Sequence, residues 1–299
     1  FVVGLTTATQ LQQVAPHVEV TLIADKFTAE TLSNGAAGVF RPSSNNFRGP
    51  NHETASRWLR DSYDYYKEIL DSPEAEAAGI KSLAVTVLST EHEKIVKNAF
   101  LEGLLPDYRF MTSEELGQFQ GGPYIYGCRF TTMLTDCSKF LPYLMAKFRD
   151  RGGKIIKQRV ASFNELAPHF DVVVNCCGLV AGDMCGDSTI TPIRGQVYKV
   201  KAPWITEGFY SDYDTYILPG PEYVTLGGCR QFDSYNTEID VHDSKSIWER
   251  CLRLMPSLRD AQIMVHNYGH GGYGVTSAPG TAVAAVQLVL QSLPVTSKL

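Results

Sequence analysis

No apolar run in the sequence approaches the eighteen or so residues that a bilayer span requires, so no membrane span is expected. The first residues lack the basic-then-apolar layout of a secretory signal, and no secretory route is expected either. Clustered positive charge is missing too: 27 lysines and arginines are scattered among 32 acidic residues, for a net charge of −5, which argues against a nucleic-acid partner. The seven cysteines (Cys128, Cys137, Cys176, Cys177, Cys185, Cys229 and Cys251) are an odd number with no Cys-x-x-Cys spacing. That argues against a disulfide framework and a zinc site and leaves reduced, mostly buried thiols, with no metal expected.

What remains is the composition of an ordinary globular protein, 44% hydrophobic and 20% charged over 299 residues. A chain of that size has room for two cores, or for one large α/β core with an appended lobe, and can bury a cofactor. The densest signal is the turn His266–Thr276, in which Gly269, Gly271, Gly272 and Gly274 fall close together. Without Cβ atoms, backbone N–H groups can close around something flat or anionic, and the small-residue helix expected from Thr281 adds its N-terminal dipole. The same residues also read as a plain loop. The sequence ends on Ser297-Lys298-Leu299, the form of a peroxisomal address read by an import receptor.

From the start, Phe1-Val2-Val3-Gly4 reads as a short apolar strand ending in glycine, the residues after it as a helix, and Val18–Ala24 as a second strand closing on Asp25. Strand, glycine turn, helix, strand and acid form the βαβ layout of a dinucleotide site, in which the acid takes a ribose hydroxyl. Gly4 stands alone where that fingerprint has three glycines. Either this is an unrelated βαβ start or residues are missing after Gly4; the second is favoured because everything downstream keeps the layout. The turn-rich stretch Thr31–Pro42, small at Gly35, Ala36, Ala37 and Gly38, lies under a ring system or forms a surface loop. Helices are expected at 51–70, 138–153 and 242–255, and short strands between 72 and 150. Lys154–Val160 reads as a strand. Asp171–Leu179 reads as a buried parallel strand ending on Cys176-Cys177-Gly178, which puts Gly178 on the same rim as Gly4. Between 190 and 230 the pattern changes to antiparallel strands of a second lobe, tyrosine-dense from 209 to 223, that would cover the cofactor.

Six segments carry a resemblance: Val174–Leu179, Pro192–Val197, Ala202–Trp204, Tyr216–Gly220, Val224–Gln231 and His266–Gly274. In this order they resemble the FAD-dependent D-amino acid oxidase and D-aspartate oxidase family, and the likeness extends more thinly over the whole chain. The resemblance implies an α/β fold, with a Rossmann-type FAD-binding domain (1–40, 138–190 and 264–299) and a mostly antiparallel, β-rich substrate domain (41–137 and 191–263). It implies FAD as cofactor and a D-amino acid and dioxygen as substrates, with 2-oxo acid, ammonia and hydrogen peroxide as products. Hydride passes from the substrate α-carbon to flavin N5, so no protein side chain is expected to act as acid or base. A peroxisomal location, through the import receptor, is implied as well.

Position by position, the resemblance implies that Tyr216 contacts the substrate carboxylate and that the Gly272 carbonyl takes the amine. It assigns Gly271, Gly274 and Thr276 to the flavin, Asp25 and Lys26 to the ribose and adenine end, and Thr31 and Gly4 to cofactor binding. Gly38 and Val39 fall to the isoalloxazine side, Val160 and Gly178 to the adenine side. Arg194 is read as structural. Arg230, in Gly227-Gly228-Cys229-Arg230-Gln231, matches the acidic-substrate branch, where a guanidinium takes a side-chain carboxylate; Gly271–Gly274 matches the neutral branch. Two departures stand out: the glycine loop after Gly4, and a segment between Ile263 and Met264 that in the family carries the arginine gripping the substrate α-carboxylate. Both are expected to exist in a longer chain with a mass above 33.1 kDa; without them the chain would be a non-catalytic relative.

Overall fold

The structure, a computed structural model, describes residues 1–42 and 51–263. Its strands are β1 (Thr21–Ala24), β2 (Ile80–Ser89), β3 (Arg109–Phe110), β4 (Tyr126–Thr135), β5 (Lys154–Lys157), β6 (Ile193–Arg194), β7 (Val197–Lys201), β8 (Gly208–Ser211), β9 (Thr215–Pro219), β10 (Val224–Gly227), β11 (Gln231–Phe232) and β12 (Gln262–Ile263). One large sheet runs in the order β12-β7-β10-β9-β8-β2-β4-β3. Within it β2 and β8 are parallel and the other neighbours antiparallel. Two small sheets pair β1 with β5 in parallel and β11 with β6 antiparallel.

The helix Val241–Leu254 covers one part of the large sheet. Asp240 caps it, accepting from the His242 and Asp243 amides at 2.8 and 2.9 Å. Ile247, Cys251 and Leu254 recur at helical spacing and bury against Val200, Ile217 and Leu226 of the sheet. A second core lies where the helix Cys137–Asp150, capped by Asp136, meets helix α1 (Val2–Val14). Phe140, Leu144 and Phe148 pack there on Leu5 and Ala8, with Leu22 of β1 and Ile155 of β5 alongside. The long helix α2 (His52–Leu70) starts at the Asn51 cap, as its apolar spacing predicts.

Three expectations are corrected. Phe1–Gly4 is no strand: α1 begins at Val2, and the Leu5 amide donates to the Phe1 carbonyl at 3.0 Å. A lone glycine costs a helix only about 1 kcal/mol, and buried Leu5 and Ala8 hold the run in place. Asp171–Leu179 makes no strand pairing, and Val172 and Val174 are 78% and 58% exposed. A parallel strand needs neighbours; the one expected from Phe1–Gly4 is helical, and β1 and β5 pair with each other. Finally, β2 and β4 are long, pairing from Ile80↔Thr135 to Ser89↔Tyr126. The second half of β2 is buried on both faces, which erases the alternation that marks a strand's length.

Candidate active site

At the nucleotide end, Asp25 and Lys26 follow β1 directly and are exposed. A Cβ added to Gly4 would lie 3.1 Å from Cys176 Cβ, so α1 approaches the 171–177 segment about as closely as glycine permits. That is close packing of a helix glycine on a neighbouring segment rather than the turn role expected for Gly4. The Cys177 thiol is pushed up by burial and then by Cys176, Cys185 and Asp25, which puts the Asp25 carboxylate within electrostatic reach. Gly178 has φ +63°, opens a short turn and faces open space. Asp25 thus stands at the carboxyl end of β1, Gly4 packs on Cys176, and Gly178 follows two residues later. Val160 is half-buried just past β5. The Thr31 hydroxyl donates to the Thr28 carbonyl at 2.7 Å, and Ser33 Oγ accepts from the Val2 amide at 3.2 Å, tying this turn to the start of α1.

Gly38 and Val39 sit instead at the end of β4. Val39 bridges Leu134, and Gly38 (φ +69°) has no room for a side chain, since a Cβ would fall 1.9 Å from the Thr135 carbonyl oxygen. Gly271, Gly272, Gly274 and Thr276, the helix expected from Thr281 and Ser297-Lys298-Leu299 lie outside the described residues.

Tyr216 and Arg230, the residues expected to meet the substrate, lie near the hairpin joining β8 to β9. Two of its three loop residues, Tyr213 and Asp214, have φ of 58° and 56°, in the left-handed region. The turn is anchored by buried Asp212, which accepts from Ser89 Oγ at 2.6 Å and from the Thr90 amide and hydroxyl at 2.9 and 3.0 Å. Register then sets a row across the sheet: Val87 opposite Tyr210, Tyr210 opposite Tyr216, Tyr216 opposite Gly227. The two tyrosine rings are 5.9 Å apart. Tyr216 lies over Gly227 and Gly228, where added Cβ atoms would fall 2.0 Å from its Cζ and 2.8 Å from its Cε1. The glycine pair makes room for the tyrosine. Burial pushes the Tyr216 phenol up, and Tyr210 to about 12, so both are protonated hydrogen-bond donors at neutral pH. Arg230 Nη2 is 3.1 Å from Asp214 Oδ1, and the Asp214 carbonyl accepts from the Gly228 amide at 2.7 Å.

Arg194 is the hub beneath this region. Its buried guanidinium reaches Asp243 Oδ2 at 2.7 Å, Gln196 Oε1 at 2.7 Å, Gln231 Oε1 at 2.8 Å and the carbonyls of Asn236 and Glu238. Gln231 follows Arg230, so the network fixes the residue next to Arg230. The Asp214 partner of Arg230 had no signal in the sequence, whereas Tyr210 had one, the tyrosine density between 209 and 223.

Residues 2–265 match the family described as FAD dependent oxidoreductase. The chain belongs to that family. It is 36% identical to the D-aspartate oxidase of Homo sapiens, with 96% of this chain and 92% of the relative covered, and 30% identical to the D-amino acid oxidase of Dugesia ryukyuensis, covering 96% and 94%. The alignment to the human protein spans 321 positions, more than the 299 residues here, so that relative carries residues opposite gaps in this chain. Among solved structures, glycine oxidase from Geobacillus kaustophilus superposes with a TM-score of 0.66 at 15% identity, covering 98% of this chain and 94% of that one; L-proline dehydrogenase from P. horikoshii gives 0.64 at 14%, covering 98% and 92%. The fold is thus the mixed α/β fold of FAD-dependent oxidoreductases with a large, mostly antiparallel sheet, and the cofactor of the family is FAD.

Proposed function

We propose that this chain catalyses the oxidative deamination of D-amino acids, preferring D-aspartate and D-glutamate, and yields 2-oxo acid, ammonia and hydrogen peroxide. The observation that carries the acidic preference is Arg230 beside the Tyr216–Gly227–Gly228 stack, on the sheet of a chain 36% identical to a D-aspartate oxidase. The residues at the nucleotide end fit FAD. Gly4 lets α1 close on Cys176, the first turn of α1 holds no acid to repel a pyrophosphate, and Asp25 stands at the carboxyl end of a parallel strand. Bound FAD supplies the hydride acceptor.

In this reading Asp25 takes the ribose hydroxyls, with Lys26, Thr31, Val160 and Gly178 about the adenosine; Gly38, Val39, Gly271, Gly274 and Thr276 serve the flavin side. The Tyr216 phenol donates to the substrate α-carboxylate, and the Gly272 carbonyl accepts from its amine. Arg230 exchanges Asp214 for the side-chain carboxylate. The division into a flavin domain and a substrate domain follows the boundaries given above, and Ser297-Lys298-Leu299 directs the protein to peroxisomes. A second reading, an oxidase of neutral D-amino acids, draws support from the Arg230–Asp214 pair, which already neutralises that guanidinium.

The deciding experiment is anaerobic bleaching of the flavin absorbance by D- and L-amino acids, in the wild type and in Arg230→Leu. D-aspartate bleaches the wild type and its L-enantiomer does not; Arg230→Leu removes the charge-assisted pair to the side-chain carboxylate and lowers kcat/KM on D-aspartate by roughly 30-fold, a loss of about 2 kcal/mol. D-alanine holds or improves. Equal losses on both substrates in a flavin-loaded variant remove the acidic preference, and no bleaching by any D-amino acid removes the oxidase reading.

A further inference from the structure

Arg41 had no role in the sequence reading, yet its guanidinium lies 4.4 Å from the centroid of the Tyr210 ring, at the far end of the tyrosine row from Arg230. The backbone on either side is clamped. The Phe40 amide donates to the Met133 carbonyl at 2.8 Å, the Thr132 hydroxyl to the Phe40 carbonyl at 2.7 Å, and Asn98 Nδ2 to the Pro42 carbonyl at 2.6 Å. The side chain is half-buried, but among the described residues its hydrogen bonding comes down to a long contact of 3.4 Å from Nη2 to the Ile95 carbonyl, and its buried Nε has no partner there.

Four arginines of this sheet and its flanks have carboxylate partners: Arg109 has Glu115, Arg129 has Glu207, Arg194 has Asp243 and Arg230 has Asp214. Arg250, on the covering helix, donates to the Gly228 carbonyl and the Ser246 hydroxyl. Among the described residues Arg41 has no carboxylate. The titratable groups that feel its charge, Tyr108, Cys128 and Tyr210, are all raised by burial and therefore neutral at pH 7. A half-buried cation held on a phenol face, with a buried donor unsatisfied and no counter-ion among the described residues, is a receptor for a planar anion.

We propose that Arg41 is a further specificity-determining residue: the second carboxylate of an acidic substrate docks on its guanidinium at the Tyr210 end of the row, while Tyr216 holds the first. This rests on the oxidase reading above, and it locates the selecting cation at Arg41, which has no carboxylate among the described residues, rather than at Arg230 alone, which must first release Asp214.

Equilibrium binding of succinate and butyrate to the FAD-loaded protein, followed by calorimetry, separates the two ideas. The wild type binds the dicarboxylate more tightly than the monocarboxylate. Arg41→Leu weakens succinate by about tenfold or more and butyrate by less than about twofold, and Arg41→Lys recovers part of the loss, because a charge-assisted pair is removed and partly restored. Should Arg41→Leu fail to fold, Arg41→Gln carries the same comparison. Equal weakening of both ligands, no weakening of either, no preference in the wild type, or a selective loss that appears only in Arg230→Leu overturns the proposal. Arg41-dependent succinate binding in a protein whose flavin no D-amino acid bleaches leaves the carboxylate site standing and removes the oxidase reading instead.

Discussion

The two β regions of this chain are built on opposite terms. In the large sheet the hairpin β8–β9 and strand β10 follow one another with short connections, so each strand finds its partner next in sequence. The parallel pair β1 and β5 is joined only through more than a hundred intervening residues, including β2 and β4, and depends on α1 and the 137–150 helix to hold it. Antiparallel neighbours carry their own pairing, whereas parallel strands need crossovers and covered faces. The contrast explains why one region keeps its strands intact while the segment 171–177 joins no sheet. It also predicts where substitutions will hurt: stiffly held groups in the antiparallel region should be costly to disturb, and the parallel region should yield.

The largest effect is expected at Arg194. Its side chain is 7% exposed and supports Asp243, Gln196 and Gln231 at once. Arg194→Met leaves a buried carboxylate without its cation, a loss on the order of 3–5 kcal/mol. Urea unfolding measures it, and a loss under about 1 kcal/mol would show that the network is not what holds β6 to β11. A smaller effect is expected at Gly227. An alanine there puts a methyl group 2.0 Å from Tyr216 Cζ, and the ring must leave its place over the glycine pair. Overpacking of this kind costs roughly 1–3 kcal/mol. In Gly227→Ala, KM for a D-amino acid should also rise, because Tyr216 is displaced; an unchanged KM would detach Tyr216 from the substrate.

Much of the antiparallel region was legible in the sequence. Val197–Lys201, Thr215–Pro219 and Val224–Gly227 fall inside the region read as strands, and the three long helices at 52–70, 137–150 and 241–254 match the expected ranges within three residues at either end. Local signals suffice there, since caps such as Asn51, Asp136 and Asp240 sit beside the residues they serve. The parallel region was misread at Phe1–Gly4 and Asp171–Leu179 because short apolar runs specify neither helix nor strand until a neighbour decides. In the site, Tyr216 and Arg230 were named from the sequence. Arg41 and Asp214 were not, because nothing local to an arginine before a proline, or to an aspartate in a turn, says which ring or guanidinium it will meet.

The smallest effect is expected at Gly4, and it tests the contrast most directly. In Gly4→Ala the new Cβ meets Cys176 Cβ at 3.1 Å, so one side must give by a few tenths of an ångström. The segment 171–177 has no strand hydrogen bonds to resist the shift, and alanine in place of glycine favours α1 by up to about 1 kcal/mol. The two terms nearly offset, and the unfolding free energy should stay within about 0.5 kcal/mol of the wild type, well below the loss at Gly227. FAD affinity should respond more than stability does, because α1 and Cys176 part on the side of the fold that holds Asp25 and Gly178. A fluorescence titration of the apoprotein with FAD reads that shift as a weaker Kd. If Gly4→Ala instead costs as much stability as Gly227→Ala, the 171–177 segment is as stiffly held as the antiparallel strands, and the contrast between the two regions fails.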